Sequence, residues 1–255
     1  MDDQVLLFML TSEIESAYHQ WDAEQPARTG LHASSVLESD KDFCVRQHVI
    51  AEHYPDERQA KEQYLPSLQK FVHGWAIHKK LQEEIFKRTG RVIRHLTGDH
   101  ELDLTHLDYE TQIMFSPDVI IKYGDLTIPI EIKGINTEDF QGCVGKPLQE
   151  AAARNKSIRS AIPQLNLYLH LLGLTEPPNN RGIIFAEDKN TQKFEMWVHT
   201  YDAQLAEQPI DRAMHVKFMN RVHKRDLSLP AKICSSIMDS RAKRCPFRSA
   251  CFTRE

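Results

Sequence analysis

The stretch that most restricts the fold is DVIIKYGDLTIPIEIK, Asp118 to Lys133, where two apolar segments rich in Ile flank Tyr123-Gly124-Asp125. Short apolar runs of this composition read as strands, and a glycine between them supplies the backbone freedom of a tight turn. A hairpin is expected, and it would bring Asp118 close to Glu131, which follows 13 positions later. Glu131 and Lys133 have the same parity on one strand and so project from the same face. A carboxylate and an amine so placed are either an exposed strand pair or part of a catalytic site, and the residues alone leave both open.

The pattern on either side defines the architecture. Residues 1 to about 95 read as helical; from Leu65 the apolar residues Leu68, Val72, Trp75, Ile77, Leu81 and Ile85 keep near-helical spacing, and Gly90 is a stop. YETQIMF, Tyr109 to Phe115, reads as a further strand. Gly134 to Lys156 reads as a charged loop leading into a helix whose regular part starts at Pro163 and closes at Gly173. RGIIFAEDKNTQKFEMWVHTY, from Arg181, then reads as two strands joined by a polar turn, and the tail from Asp202 is again helical. This order predicts an α/β fold, a mixed sheet core flanked by helices. Three regions are expected: helical residues 1–95, a core over 96–205, and a basic helical tail over 206–255.

Charge is unevenly distributed. The net charge is −4, yet residues 211–255 hold 11 Lys/Arg against 4 Asp/Glu, about +7, which leaves about −11 on the rest. A basic tail on an acidic body suits either a solvated helical face or a phosphate-backbone partner. No apolar run reaches the length of a membrane span, and the opening MDDQVLLFMLTSEIE lacks the positive segment of a secretory signal. A cytoplasmic protein with no membrane partner is expected. The 5 cysteines then speak against a disulfide framework, and Cys234, Cys245 and Cys251 fall within the last 22 residues, which suggests metal or cluster ligands.

Two carboxylates, the backbone carbonyl of Ile132 and water would form an oxygen-rich site suited to Mg²⁺ or Mn²⁺. A lysine beside such an ion can orient a water whose pKa the metal lowers. The arrangement Pro117-Asp118, then Glu131-Ile132-Lys133, resembles the signature of the PD-(D/E)XK nuclease superfamily. Three further matches point to its RecB-like branch, which includes CRISPR-associated iron–sulfur exonucleases. Gly74 and His78 in GWAIHKKLQ resemble the Gly-x-x-x-His motif that precedes the core, and Gln164 and Tyr168 in QLNLYLHLL resemble the Gln-x-x-x-Tyr motif that follows the lysine. CPFRSACF resembles the Cys-x5-Cys ending of the cluster-bearing members, with Cys44 in the upstream ligand position beside its Cys-x-Arg context.

The resemblance implies a restriction-endonuclease-like core and metal-dependent hydrolysis of DNA, single-stranded or with free ends. Asp118, Glu131, the Ile132 carbonyl and His78 would hold the ion; Lys133 would place the attacking water; Gln164 and Tyr168 would arrange the lysine or the phosphate. It also implies a [4Fe–4S] cluster on Cys44, Cys234, Cys245 and Cys251, with Zn²⁺ as the alternative occupant of four thiolates. The Cys-x10-Cys gap from Cys234 to Cys245 is longer than the Cys-x2-Cys often seen in the branch. Cys143 falls outside the set and reads as a free thiol. Arg241, Lys243, Arg244 and Arg248 are the candidate DNA contacts of the tail. The family setting is DNA recombination, repair or CRISPR and phage DNA processing, where a protein partner would be expected. Two other readings stay open: a catalytically silent DNA-binding scaffold and a restriction-type endonuclease.

Overall fold

The hairpin forms as its turn chemistry dictates. In the computed structural model, which describes residues 3–24, 30–59, 65–92 and 106–254, β4 (Val119–Tyr123) and β5 (Leu126–Ile135) pair antiparallel from Val119↔Ile130 to Tyr123↔Leu126. The two-residue connection places Gly124 at φ +61°, a left-handed conformation that other residues adopt only at a cost. β5 then pairs parallel with β6 (Arg181–Asp188), and β6 pairs antiparallel with β7 (Phe194–Thr200), giving a mixed four-stranded sheet of order β4-β5-β6-β7. Parallel neighbours require a crossover, and here it is helical: α5 (Thr137–Gln141), α6 (Leu148–Arg154) and α7 (Lys156–Leu171).

Both faces of the central strands are covered, which is why β5 reads as an almost continuous apolar run. On one face Ile130 and Ile132 pack with Val119, Phe185, Ile77 and Leu81, the last two from α4 (Leu65–Lys79) and the π-helical turn Lys80–Phe86 that extends it. On the other, Ile135 and Ile184 pack against Ala161 and Leu165 of α7. The helical run ends at Gly90, φ +66°, as its position predicts.

Several local expectations need correction. YETQIMF is a strand only over its last three residues: β3 (Ile113–Phe115) follows a turn that separates it from β2 (His106–Leu107), and in that turn the Asp108 carboxylate accepts from the Thr111 N–H (2.7 Å) and hydroxyl (2.5 Å). These strands belong to a second mixed sheet, order β1-β3-β2, whose β1 (Leu31–His32) interrupts the helical N-terminal region between α1 (Asp3–Glu24) and α2 (Ala33–Val36). Gly134 to Lys156 is not a loop, since it completes β5 and carries α5 and α6. Nor does α7 wait for Pro163: Asn155 caps it by accepting from the N–H groups of Ser157 (2.8 Å) and Ile158 (3.1 Å), so the proline sits inside the helix. The expected boundary between residues 95 and 96 lies outside the described residues.

The tail carries α8 (Ala203–Asp226), α9 (Ser240–Arg244) and α10 (Arg248–Thr253), but 227–239 between α8 and α9 is a loop and not the helix expected there. It returns to α3 (Val45–His53), where Ile50 packs with Phe247, Ala250 and Cys251. Among the described residues no helix is long and apolar enough to cross a membrane.

Candidate active site and cysteine centre

Asp118 stands at the mouth of the hairpin, one residue before the first paired position of β4, after a proline that has no N–H to offer a ladder. Its carboxylate takes over the ladder's role: the Ile132 N–H donates to Oδ2 at 2.7 Å. The other oxygen lies 3.0 Å from His78 Nδ1, and Gln82 Nε2 donates to the Asp118 backbone carbonyl at 2.6 Å. His78 and Gln82 are one turn apart on the helical run, so α4 and its π-helical extension hold Asp118 from two sides. Gln82 was not singled out from the sequence; its four-residue spacing from His78 was the available signal.

On the opposite face of β5 from Ile132, Glu131 is 1% exposed. Lys133 Nζ donates to Glu131 Oε1 at 2.5 Å and to Gln164 Oε1 at 3.3 Å, and Gln164 Nε2 donates to the Tyr168 hydroxyl at 2.8 Å. The candidates from two separate motifs thus form one chain of contacts, Tyr168 to Gln164 to Lys133 to Glu131. Glu131 Oε2 has no hydrogen-bond partner. Such an orphan is rare, because a buried acceptor left unpaired costs about 1–3 kcal/mol.

The electrostatics follow from this burial. Desolvation first, then the Asp118 carboxylate, raises the Glu131 pKa to about 8 against the opposing pull of Lys133 and His78. Burial disfavours a charged His78, but its hydrogen bond with Asp118 and the two nearby carboxylates outweigh that and raise its pKa. Two carboxylates this close repel when both are ionised, and either a retained proton or a bound cation relieves that repulsion. The donor types suit such an ion: two carboxylates, of which Glu131 has an unpartnered oxygen, and an imidazole. Among the described residues no group of three or more His, Cys, Asp or Glu side chains already stands at ion-holding positions, and both Asp118 oxygens are engaged. Coordination by Asp118 would require the His78 contact to open.

The four cysteines of the proposed cluster set converge. Cys44, Cys234, Cys245 and Cys251 line one small cavity of about 20 Å³ between the N-terminus of α3 and the tail. Cys44 caps α3, its sulfur accepting from the Gln47 N–H at 3.4 Å, while Cys245 Sγ donates to Gln47 Oε1 at 3.4 Å. The loop between α8 and α9 carries Cys234 to the same cavity, so the long gap before Cys245 is accommodated. Burial raises the thiol pKa of Cys44, of Cys234, and of Cys245 to about 11, which disfavours free thiolates; a bound cation reverses that preference. All five cysteines are free, and Cys143 is fully buried away from this cavity, its thiol donating toward the Ala151 carbonyl at 3.7 Å.

Arg46 holds this assembly together. It is 4% exposed and donates to the carbonyls of Pro230 (2.8 Å), Cys251 (3.1 Å) and Arg254, tying α3 to the α8–α9 connection and to the last helix. Of the candidate DNA contacts, Arg241 donates to the Phe43 carbonyl at 2.7 Å and, like Arg248, lines the cysteine cavity. Lys243 and Arg244 are exposed, and Arg244 reaches Asp42 at 3.7 Å.

No protein-family model matches the chain, and no curated protein matches it. Among solved structures it is similar to SSO0001, at 14% identity and a TM-score of 0.45 over 97% of this chain and 98% of that one. It is also similar to an alkaline exonuclease from Laribacter hongkongensis, at 14% identity and a TM-score of 0.45 over 77% and 92% of the two chains. The same exonuclease in complex with dAMP aligns at 14% identity and a TM-score of 0.46 over 78% and 93%.

Proposed function

We propose that this chain is a metal-dependent deoxyribonuclease of the PD-(D/E)XK type that hydrolyses DNA phosphodiester bonds from strand ends. The observation that carries the reading is Glu131: a buried carboxylate with one oxygen on Lys133 and the other unpartnered, close enough to Asp118 for the two carboxylates to interact. Asp118, Glu131, the Ile132 carbonyl and His78 would hold a Mg²⁺ or Mn²⁺ ion, which would supply Lewis-acid stabilisation of the phosphate and a water of lowered pKa. Lys133 is the residue that would orient the attacking water toward phosphorus. Gln164, itself fixed by the Tyr168 hydroxyl, accepts from the lysine and keeps its ammonium group aimed at the site.

The test is digestion of end-labelled single- and double-stranded linear DNA, beside covalently closed circles, with Mg²⁺ or Mn²⁺. Linear substrates are degraded and circles survive; Lys133→Ala lowers the rate by roughly 10²-fold or more. Undiminished cleavage by Lys133→Ala or Glu131→Ala overturns the site, and equal cleavage of circles favours the restriction-type reading.

We infer in addition that Cys44, Cys234, Cys245 and Cys251 hold a [4Fe–4S] cluster, the support being their convergence on one cavity from opposite ends of the chain. Protein purified without oxygen is expected to be brown, with broad absorption near ~400 nm and about four irons per chain. Colourless protein carrying one zinc per chain replaces the cluster with zinc.

A further inference from the structure

Away from both centres, a cavity of about 420 Å³ opens between α3, α8 and the small sheet. Its size falls in the range of small-molecule sites, roughly 300–1,000 Å³. None of its walls belongs to the carboxylate–lysine cluster or to the cysteine cavity. α8 supplies one wall with Lys217, Asn220, Arg221 and Lys224, whose spacing places them on one helical face. Three cations therefore face the opening, against the single carboxylate of Glu52. Lys217 also donates to the carbonyls of Tyr109 and Glu110 and so fixes the β2–β3 turn as the opposite rim; Arg221 and Lys224 are exposed.

The interior is not merely basic. Gln112, Thr111 and Asn220 add polar side chains to its lining, and His48 Nε2 and Asn220 Oδ1 are buried beneath that lining without a hydrogen-bond partner. At the rim Tyr109 is 81% exposed, and Leu107 and Met114 add apolar wall beside it. Cations, polar side chains, apolar surface and a solvent-facing aromatic ring together meet what a nucleotide asks of a protein: charge for phosphate, polar partners for base edges, and surfaces for stacking. A bare phosphate would use only the first.

We propose that this cavity binds one unpaired nucleotide of a nucleic-acid strand, its phosphate toward Arg221 and Lys224 and its base on Tyr109, as a strand-holding site separate from the cleavage centre. The inference rests on the nucleic-acid reading above. It is tested with the full-length protein in EDTA, where cleavage is off, by fluorescence anisotropy of a labelled single-stranded oligonucleotide across a salt series. The double variant Arg221→Glu/Lys224→Glu is expected to weaken binding at least tenfold and to flatten the salt slope by about 0.7 per lost contact. Tyr109→Ala, a change at an exposed side chain, is expected to weaken binding about tenfold, and Arg221→Lys to keep most of it. Thermal melting of each variant separates lost binding from lost fold. Wild-type affinity in both the double variant and Tyr109→Ala overturns the cavity assignment. Failure of the wild-type protein to bind any oligonucleotide overturns it together with the nuclease reading, whereas cavity-dependent binding without cleavage overturns the nuclease reading alone.

Discussion

Burial of the single side chain Glu131 makes the stability of the fold depend on pH. Its carboxyl pKa is raised to about 8 by burial first and by Asp118 second, so between pH ~4.5 and ~8 the folded protein keeps a proton that the unfolded chain has released. Stability contributed by this site is therefore fully present below pH ~4.5, declines as pH rises through that window, and levels off above pH ~8. Thermal melting in EDTA is expected to show that decline in the wild-type protein. Glu131→Gln, which keeps the shape without the titration, is expected to flatten it; an unchanged pH profile in the variant refutes the buried-carboxylate account. The motif made Glu131 and Lys133 legible in the sequence, because strand parity is local. The unpartnered Oε2 was not legible, since it depends on what α7 brings to the other side of β5.

At the scale of elements, the active strand depends on how closely helices approach the sheet. Gly182 of β6 permits this: a methyl group there would stand 2.7 Å from Leu165 Cδ1 and 2.9 Å from its Cγ, and Leu165 is fully buried in α7 one residue after Gln164. Gly182→Ala is expected to cost about 1–3 kcal/mol by overpacking, read as a lowered melting temperature. Because α7 carries Gln164, the same variant is expected to lose cleavage rate, while an unaltered melting temperature would show that α7 yields freely. The periodicity of α7 was readable, but its start was not. A proline suggested a boundary at Pro163, whereas the side chain of Asn155 decided it by capping the first turn. The turn at Asp108 was missed for a similar reason: the carboxylate that satisfies Thr111 is a side-chain event invisible to a count of apolar residues.

Across the whole molecule, Arg46 links a helix near the N-terminus to residues 184 to 208 positions later. Removing it strands three buried or half-buried carbonyls, so Arg46→Ala is expected to cost about 3 kcal/mol. It is also expected to release the tail to limited proteolysis after α8 before the sheet itself unfolds. Equal protease resistance of variant and wild-type protein would refute the staple. The Cys-x-Arg context was noticed in the sequence, but its mechanical role appears only when the chain ends meet.

The sequence by itself determined the β4–β5 hairpin, the shared face of Glu131 and Lys133, the helical spacing of Gln164 and Tyr168, and the α/β order. All of these follow from residue spacing within a single element. Only the tertiary structure decided that β1, β2 and β3 form a second sheet, that His78 and the Ile132 N–H occupy both Asp118 oxygens, and that Cys44 meets three cysteines from the other end of the chain. It alone revealed the cavity on α8. The division has one physical cause: local periodicity is set by backbone geometry, whereas convergence of distant groups is set by how helices and sheets bury their apolar faces.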